Sequence, residues 1–335
     1  VFHPSRGKPL APEALVYVDS VFALMEEHAL AEGPVDWPEL HRETLYRAGG
    51  ARTPADAHKA LQWALQRVNP HSTLLLPDKW AELERRWREK PNYPTGRMLG
   101  GGIAYIALPA FASQMDELIL QYALEGQHLL RTFRDSGACG WIIDLRRNSG
   151  GNMYPMLVAI GPLIGEGNAG FFRAGEGLIK PWGYAGGMAW LGSDTLVRLP
   201  RGRTPVPPIV APVAILTGPL TASSAEAIVA AFSGLDRAWS FGSATAGFST
   251  GNTGYRLTDG ATVMLTELVL GDRTGREYGD RIRPDHTVGG AIWNMFADPE
   301  DPLTTTAAAM WLRHTDACRA RGKTASKGAP PRPSP

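Results

Sequence analysis

From Gly100 onward, short apolar runs alternate with longer runs of helical periodicity, and this alternation most limits the folds open to the chain. Residues 100–108 (GGGIAYIAL) read as a strand and 111–133 as a long helix. Residues 140–146 (GWIIDLR) read as a second strand whose apolar run does not alternate, the pattern of a strand covered on both faces. A helix over 153–164, a strand over 213–217, a helix over 222–233 and a short strand over 238–242 follow. Residues 255–258 and 262–270 read as a hairpin turned at Asp259-Gly260, and 305–319 as a closing helix. Such alternation predicts an α/β fold with a mostly parallel sheet covered by helices.

The first part of the chain reads differently. Leu15, Val18, Phe22 and Met25, then Leu40 and Leu45, then Leu61, Leu65 and Val68 recur at helical spacing. Gly33-Pro34 and Gly49-Gly50 divide them into three helices, and Thr53-Pro54 is a start signal for the third. A fourth helix over 78–90 carries a narrow stripe of Trp80, Leu83 and Trp87 before Pro91 and Pro94 break the chain. With 335 residues, about two domains are expected: a helical domain over 1–95 and an α/β core over 96–322. Residues 323–335 (KTASKGAPPRPSP) have nothing to bury and read as a disordered tail. The Gly- and Pro-rich segment 165–210 carries Trp182, Tyr184 and Trp190; an insertion facing substrate, a flap and an ordered surface loop all fit it.

Several function classes lose support here. A formal charge of +1 gives no electrostatic case for a nucleic-acid partner. No apolar run approaches the ~20 residues of a membrane-spanning helix. Cys139 and Cys318 are too few for a cysteine-built zinc site; a single disulfide is open to them, and an inert buried thiol is the favoured reading of Cys139. No histidine pair has the HExxH spacing of a metallohydrolase, so no metal or other cofactor is expected.

Three segments carry chemistry. Residues 144–151 (DLRRNSGG) run from the buried strand toward a helix, and Gly150-Gly151 let backbone approach a ligand at a helix N-terminus. That turn can hold an oxyanion or be a tight turn and nothing more. Residues 220–226 (LTASSAE) place Ser223 and Ser224 at another helix start, where serine is an ordinary cap unless a base activates it. His71, in Asn69-Pro70-His71-Ser72, follows the third helix and on its own reads as a surface histidine.

In this order, His71-Ser72, GGIAYIALPAF, GWIIDLRRNSGG, VAILTGPLTASSAEAIVAAF and YGDRIRPDHTV resemble the C-terminal processing (tail-specific) serine peptidases over roughly residues 60–290. The chain is similar to their PDZ-less branch, that of the tricorn core protease and the interphotoreceptor retinoid-binding protein. The resemblance implies a crotonase-like (ClpP/crotonase) spiral of ββα units and acyl transfer through a serine. Carried over by position, Ser223 is the nucleophile, and backbone N–H groups of Gly150, Gly151 and Ser224 form the oxyanion hole. The family's dyad branch has a lysine twenty-five residues after the serine. That position is Phe248, and no lysine lies between Lys180 and Lys323. Arginine stays protonated and cannot replace it. The resemblance therefore implies His71 as general base with an acid shortly before Pro284-Asp285. Gapless alignment puts that acid at Tyr278, which cannot serve; Glu277 is the expected acid, with Asp280 and Ser72 as supporting candidates. Residues 72–99 leave no room for a PDZ domain.

A peptide or other acyl substrate is thus expected, with an ester or lactone as a variant of the same chemistry. The contrasting reading is a non-catalytic carrier of an apolar ligand whose pocket the aromatic residues line. A start at Val1 rather than Met fits a processed form, and the resemblance favours an extracytoplasmic or secreted location.

Overall fold

A computed structural model describes residues 7–175, 177–288 and 302–320. The tail expected over 323–335 lies outside them. In chain order the helices are α1 (Pro12–His28), α2 (Trp37–Arg47), α3 (Pro54–Val68), α4 (Pro77–Glu89), α5 (Asp116–Asp135), α6 (Met153–Ile164), α7 (Ser224–Phe232) and α8 (Pro302–Arg313). The strands are β1 (Thr73–Leu75), β2 (Thr95–Leu99), β3 (Ile103–Ala107), β4 (Gly140–Asp144), β5 (Gly167–Ala174), β6 (Leu178–Ala185), β7 (Met188–Leu191), β8 (Asp194–Arg198), β9 (Val213–Thr217), β10 (Ala238–Gly242), β11 (Thr250–Arg256), β12 (Thr262–Asp272) and β13 (His286–Thr287). They fall into two units, one of Val1–Arg86, Arg173–Leu178 and Thr250–Val269, the other of Trp87–Phe172, Ile179–Ser249 and Leu270–Pro335.

In the first unit α2 and α3 start where backbone N–H groups find side-chain acceptors. Asp36 Oδ1 accepts from Glu39 N–H at 2.9 Å, and Asp56 Oδ2 accepts from Arg52 and Thr53 N–H at 3.0 Å each. Val18, Phe22 and Met25 of α1 and Leu61, Leu65 and Val68 of α3 share one core with Leu74, Val263 and Leu265. β1 pairs antiparallel with β12, Thr73 opposite Met264, and β11 pairs antiparallel with β12 on the same strand. The hairpin turns where expected: Gly260 has φ +85°, and Asp259 Oδ1 accepts from Ala261 N–H. Asp259 also ties the turn to the helices, receiving Tyr17 OH at 2.9 Å and standing 2.7 Å from His58 Nε2.

In the second unit six strands run in the order β13-β10-β9-β4-β3-β2. All pairs are parallel except β2–β3, which is antiparallel at the edge. Every residue of β4 and β9 is buried, the burial that a non-alternating apolar run demands. Ile103, Ile142, Leu216 and Phe241 pack on Ala308 and Leu312 of α8.

The structure corrects four readings. Residues 95–99 form β2, turned into β3 through Gly101 and Gly102 at positive φ, where a break was expected. The long helix begins at Asp116 rather than Phe111; Phe111 is buried and bridges Gly151 instead. Segment 165–210 is not an irregular loop but holds β5–β8, in which β6–β7 and β7–β8 pair antiparallel. Trp182 and Tyr184 are fully buried there, with the Tyr184 ring lying directly on Gly161 of α6. Finally, Cys139 is no inert thiol: it is disulfide-bonded to Cys318.

Candidate active site

Two loops at the C-terminal ends of β4 and β9 are stitched together by hydrogen bonds. Ala222 N–H donates to Asn148 O, and Thr221 Oγ1 donates to Leu145 O while receiving Gly218 N–H. Asn148 is fully buried; its Nδ2 donates to Leu108 O at 2.9 Å and its Oδ1 receives Gly150 N–H. Ahead of the turn, Arg146 Nη2 meets Asp144 Oδ2 at 2.6 Å, both side chains nearly buried, and Tyr105 OH donates to the same oxygen. Phe111 completes the frame, giving its N–H to Gly150 O and receiving Asn152 N–H.

Within this frame Gly150 lies against Ser223. A Cβ on Gly150 would stand 2.9 Å from Ser223 Cβ and 3.2 Å from Ser224 N. A Cβ on Gly151 would stand 2.1 Å from Phe111 O, and the two glycines have φ +101° and +114°. Both positions therefore exclude any side chain, for space and for backbone conformation. Ser224 Oγ donates to Gly151 O at 2.5 Å. Of the three expected oxyanion donors, Gly150 N–H is already taken by Asn148. Those of Gly151 and Ser224 have no acceptor among the described residues.

Ser223 precedes α7 with φ 53° and ψ −116°, and is the one non-glycine at positive φ among the described residues. An ordinary cap residue is extended, so Ser223, at the start of α7, occupies a strained strand-to-helix corner. Its N–H donates to Glu226 Oε2 at 2.8 Å. The Glu226 carboxylate is wholly buried, and its other oxygen receives Thr245 Oγ1 at 2.5 Å and Gly247 N–H at 3.0 Å. Burial raises its pKa while these donors pull it back down. Glu226 was not among the sequence candidates, although the Ser-x-x-Glu spacing of a capping box marks it.

In the first unit, His71 lies in the turn between α3 and β1. Its N–H donates to Asn69 Oδ1 at 2.9 Å and its carbonyl receives Asn252 Nδ2 at 3.0 Å. Ser72 is buried; its hydroxyl donates to Thr266 Oγ1 and receives Thr266 N–H, both at 3.0 Å. His71 Nδ1 is 2.6 Å from Thr250 Oγ1. Burial pushes the imidazole pKa down to about 4.

The expected acids sit on the stretch after β12. Glu277 is exposed and bridges Gly271, and Asp280 is exposed with its carbonyl receiving Ser249 Oγ at 2.6 Å. Tyr278 is buried, with its OH donating to Asp272 Oδ2 at 2.7 Å. Among the described residues no group of three or more His, Cys, Asp or Glu stands close enough to hold a metal ion.

The molecule is thus a mixed α/β protein in which Gly150 and Gly151 pack at a strand-to-helix turn beside the strained Ser223. The sequence profile of Peptidase family S41 matches residues 102–288, more than half of the chain, so the chain belongs to that family. It is 25% identical over 275 residues to the nisin-resistance protein of Lactococcus lactis subsp. lactis, covering 82% of this chain and 83% of that one. A lipoprotein from Streptococcus agalactiae superposes with a TM-score of 0.73 at 24% identity, covering 90% of this chain and 96% of the other. The photosystem II D1 C-terminal processing protease superposes with a TM-score of 0.58 at 14% identity, covering 92% and 99%. No helix among the described residues is long and apolar enough to cross a membrane.

Proposed function

We propose that the protein is a serine peptidase in which Ser223 attacks the scissile carbonyl and His71 takes its proton. Family membership supports the reaction class. The observation that carries the assignment is the backbone of Ser223, held at φ 53° with Gly150 against it. A helix cap needs no such conformation, whereas a nucleophile presented to substrate does. In this reading the Gly151 and Ser224 N–H groups stabilise the tetrahedral oxyanion, and Gly150 serves by close approach rather than as a donor. His71, neutral at all but acidic pH, accepts the Ser223 proton and returns it to the leaving amine. Glu277, with Asp280 beside it, is the acid proposed to orient the imidazole, and the sheet with its helices is read as a crotonase-like core.

The relative's name makes nisin the first peptide to try as substrate. A disulfide between Cys139 and Cys318 fits an oxidising compartment, and with relatives named as a lipoprotein and a resistance protein it supports an extracytoplasmic location. Among the aromatics that the carrier reading would place in a pocket, Trp182 and Tyr184 are spent in the core, which weighs against that reading.

A fluorophosphonate probe tests the assignment. The wild-type protein is expected to label, and Ser223→Ala to remove all labelling. Labelling that persists in Ser223→Ala would overturn the nucleophile. Glu277→Gln and Asp280→Asn, made in parallel, decide the acid: the one that orients His71 slows labelling, and if neither does, no carboxylate of this stretch serves.

A further inference from the structure

A general base must present a lone pair to the serine, so the imidazole proton has to sit on the far nitrogen, and whatever holds it there sets the tautomer. The backbone on both sides of His71 is pinned by Asn69 and Asn252, and Ser72 is locked onto Thr266. We propose that Thr250 is the positioning residue for His71: its hydroxyl oxygen, 2.6 Å from Nδ1, accepts the Nδ1–H proton and leaves the Nε2 lone pair for Ser223. The inference rests on the serine-hydrolase reading above and changes it at one point: Thr250, in direct contact with the base, takes the Nδ1 place that reading gave to a carboxylate of the 277–280 stretch.

The contact is built on rigid structure. Thr250 opens β11, opposite Val269 of β12, and β12 in turn pairs with β1, the strand that begins two residues after His71. Histidine and threonine are thus held by strands of one sheet, and Asn252, across a bulge in the β11–β12 pairing from Thr250, adds a further tie: its Nδ2 donates to the His71 carbonyl at 3.0 Å. Thr250 is half-buried, so its own O–H proton can go to water while its oxygen faces the ring. A hydroxyl is a neutral acceptor. It fixes tautomer and direction without the charge that would favour the imidazolium, which makes His71 a weaker base but one that stays unprotonated.

The proton path is unchanged by this assignment: Ser223 Oγ–H passes its proton to Nε2 as the Oγ–carbonyl carbon bond forms, and Nε2 returns it as the carbon–nitrogen bond breaks.

Two variants and one spectrum test the proposal. Thr250→Val keeps the shape and the strand preference and removes the hydroxyl; Thr250→Ser keeps the hydroxyl. With the fluorophosphonate probe, Thr250→Val is expected to lower the maximal labelling rate about 10- to 100-fold with the half-saturating probe concentration unchanged, and Thr250→Ser to restore it to within about threefold. In the Ser223→Ala background with 15N-imidazole histidine, His71 is expected to show protonated Nδ1 and bare Nε2. Thr250→Val is expected to populate the opposite tautomer. An Nε2-protonated His71 in the Thr250-containing protein overturns the proposal, as does a Thr250→Val protein that labels at the wild-type rate. If Ser223→Ala still labels, the hydrolase reading fails instead, and the spectrum still decides whether Thr250 sets the tautomer.

Discussion

Ser223 stores backbone strain that only a glycine would escape. Holding a non-glycine at φ 53° and ψ −116° costs about 1–3 kcal/mol, and the bonds from its N–H to Glu226 and from Ser224 Oγ to Gly151 O help to offset it. A paired comparison isolates this cost. Ser223→Ala and Ser223→Gly both remove the nucleophile, but only glycine relaxes the backbone, so Ser223→Gly is expected to unfold about 1 kcal/mol later than Ser223→Ala in urea. Equal midpoints would mean the corner is not strained. His71 gives a second residue-level expectation. Its folded pKa of about 4 lies below the usual 6.5, so between those values the unfolded chain binds the extra proton and the native state does not. Stability from this group is therefore complete above about pH 6.5 and falls as pH drops toward 4, by roughly 3 kcal/mol at most. Labelling of Ser223 should follow the same group, holding level down to about pH 5 and failing near pH 4. A labelling midpoint near 6.5 would show that burial does not control this imidazole.

At the scale of elements, the site is two strand-to-helix turns held against each other, and Glu226 is what joins the nucleophile's turn to the 245–248 loop. Donors converge on its carboxylate from Ser223 N–H, Thr245 Oγ1, Gly247 N–H and Phe248 N–H. In Glu226→Gln one oxygen becomes an NH2 that faces a donor, leaving a buried hydrogen bond unmade. The expected cost is about 1–3 kcal/mol in urea unfolding, with slower labelling of Ser223 at unchanged probe affinity. A variant as stable and as fast as wild type would show that the carboxylate does not hold the corner. Much of this element level was legible in the sequence. Non-alternating β4, the glycine pair and the Asp259-Gly260 turn each carry a local signal that tertiary structure did not override. The misses have local causes too. Residues 95–99 pair with β3 through a glycine-rich turn, so neither alternation nor apolar content marks them. Segment 165–210 is rich in Gly and Pro, which read as loop residues. Close strand contacts need those glycines, as at Gly183, where a Cβ would meet Gly167 O at 2.1 Å. Thr250 could not have been found at all, because its contact with His71 bridges 179 positions and leaves no pattern along the chain.

Over the whole chain, the disulfide does for the α/β unit what local signals cannot. Cys139, just ahead of β4, is tied to Cys318, just after α8, across 179 positions of sequence. Between them lie β4, both turns of the site and β9–β10, so the bond closes a loop around every residue assigned here to the nucleophile and its oxyanion cradle. It also fixes the end of α8, whose Ala308 and Leu312 cover Ile142 and Leu216 on the strands that lead into those turns. Closing a loop of this length removes chain entropy from the unfolded state worth about 5 kcal/mol in the simplest treatment, and native disulfides commonly contribute 2–4 kcal/mol. Reduction under native conditions is therefore expected to lower the urea midpoint by an amount equivalent to about 2–4 kcal/mol. The hydrogen bonds that define the Ser223 corner do not involve either cysteine. At temperatures where the reduced protein is still folded, its labelling rate should thus match that of the oxidised form. The double variant Cys139→Ser, Cys318→Ser should behave as the reduced protein does. If reduction instead abolished labelling without unfolding the chain, the disulfide would be part of the site's geometry. If it changed neither stability nor rate, α8 would be held by its apolar contacts alone.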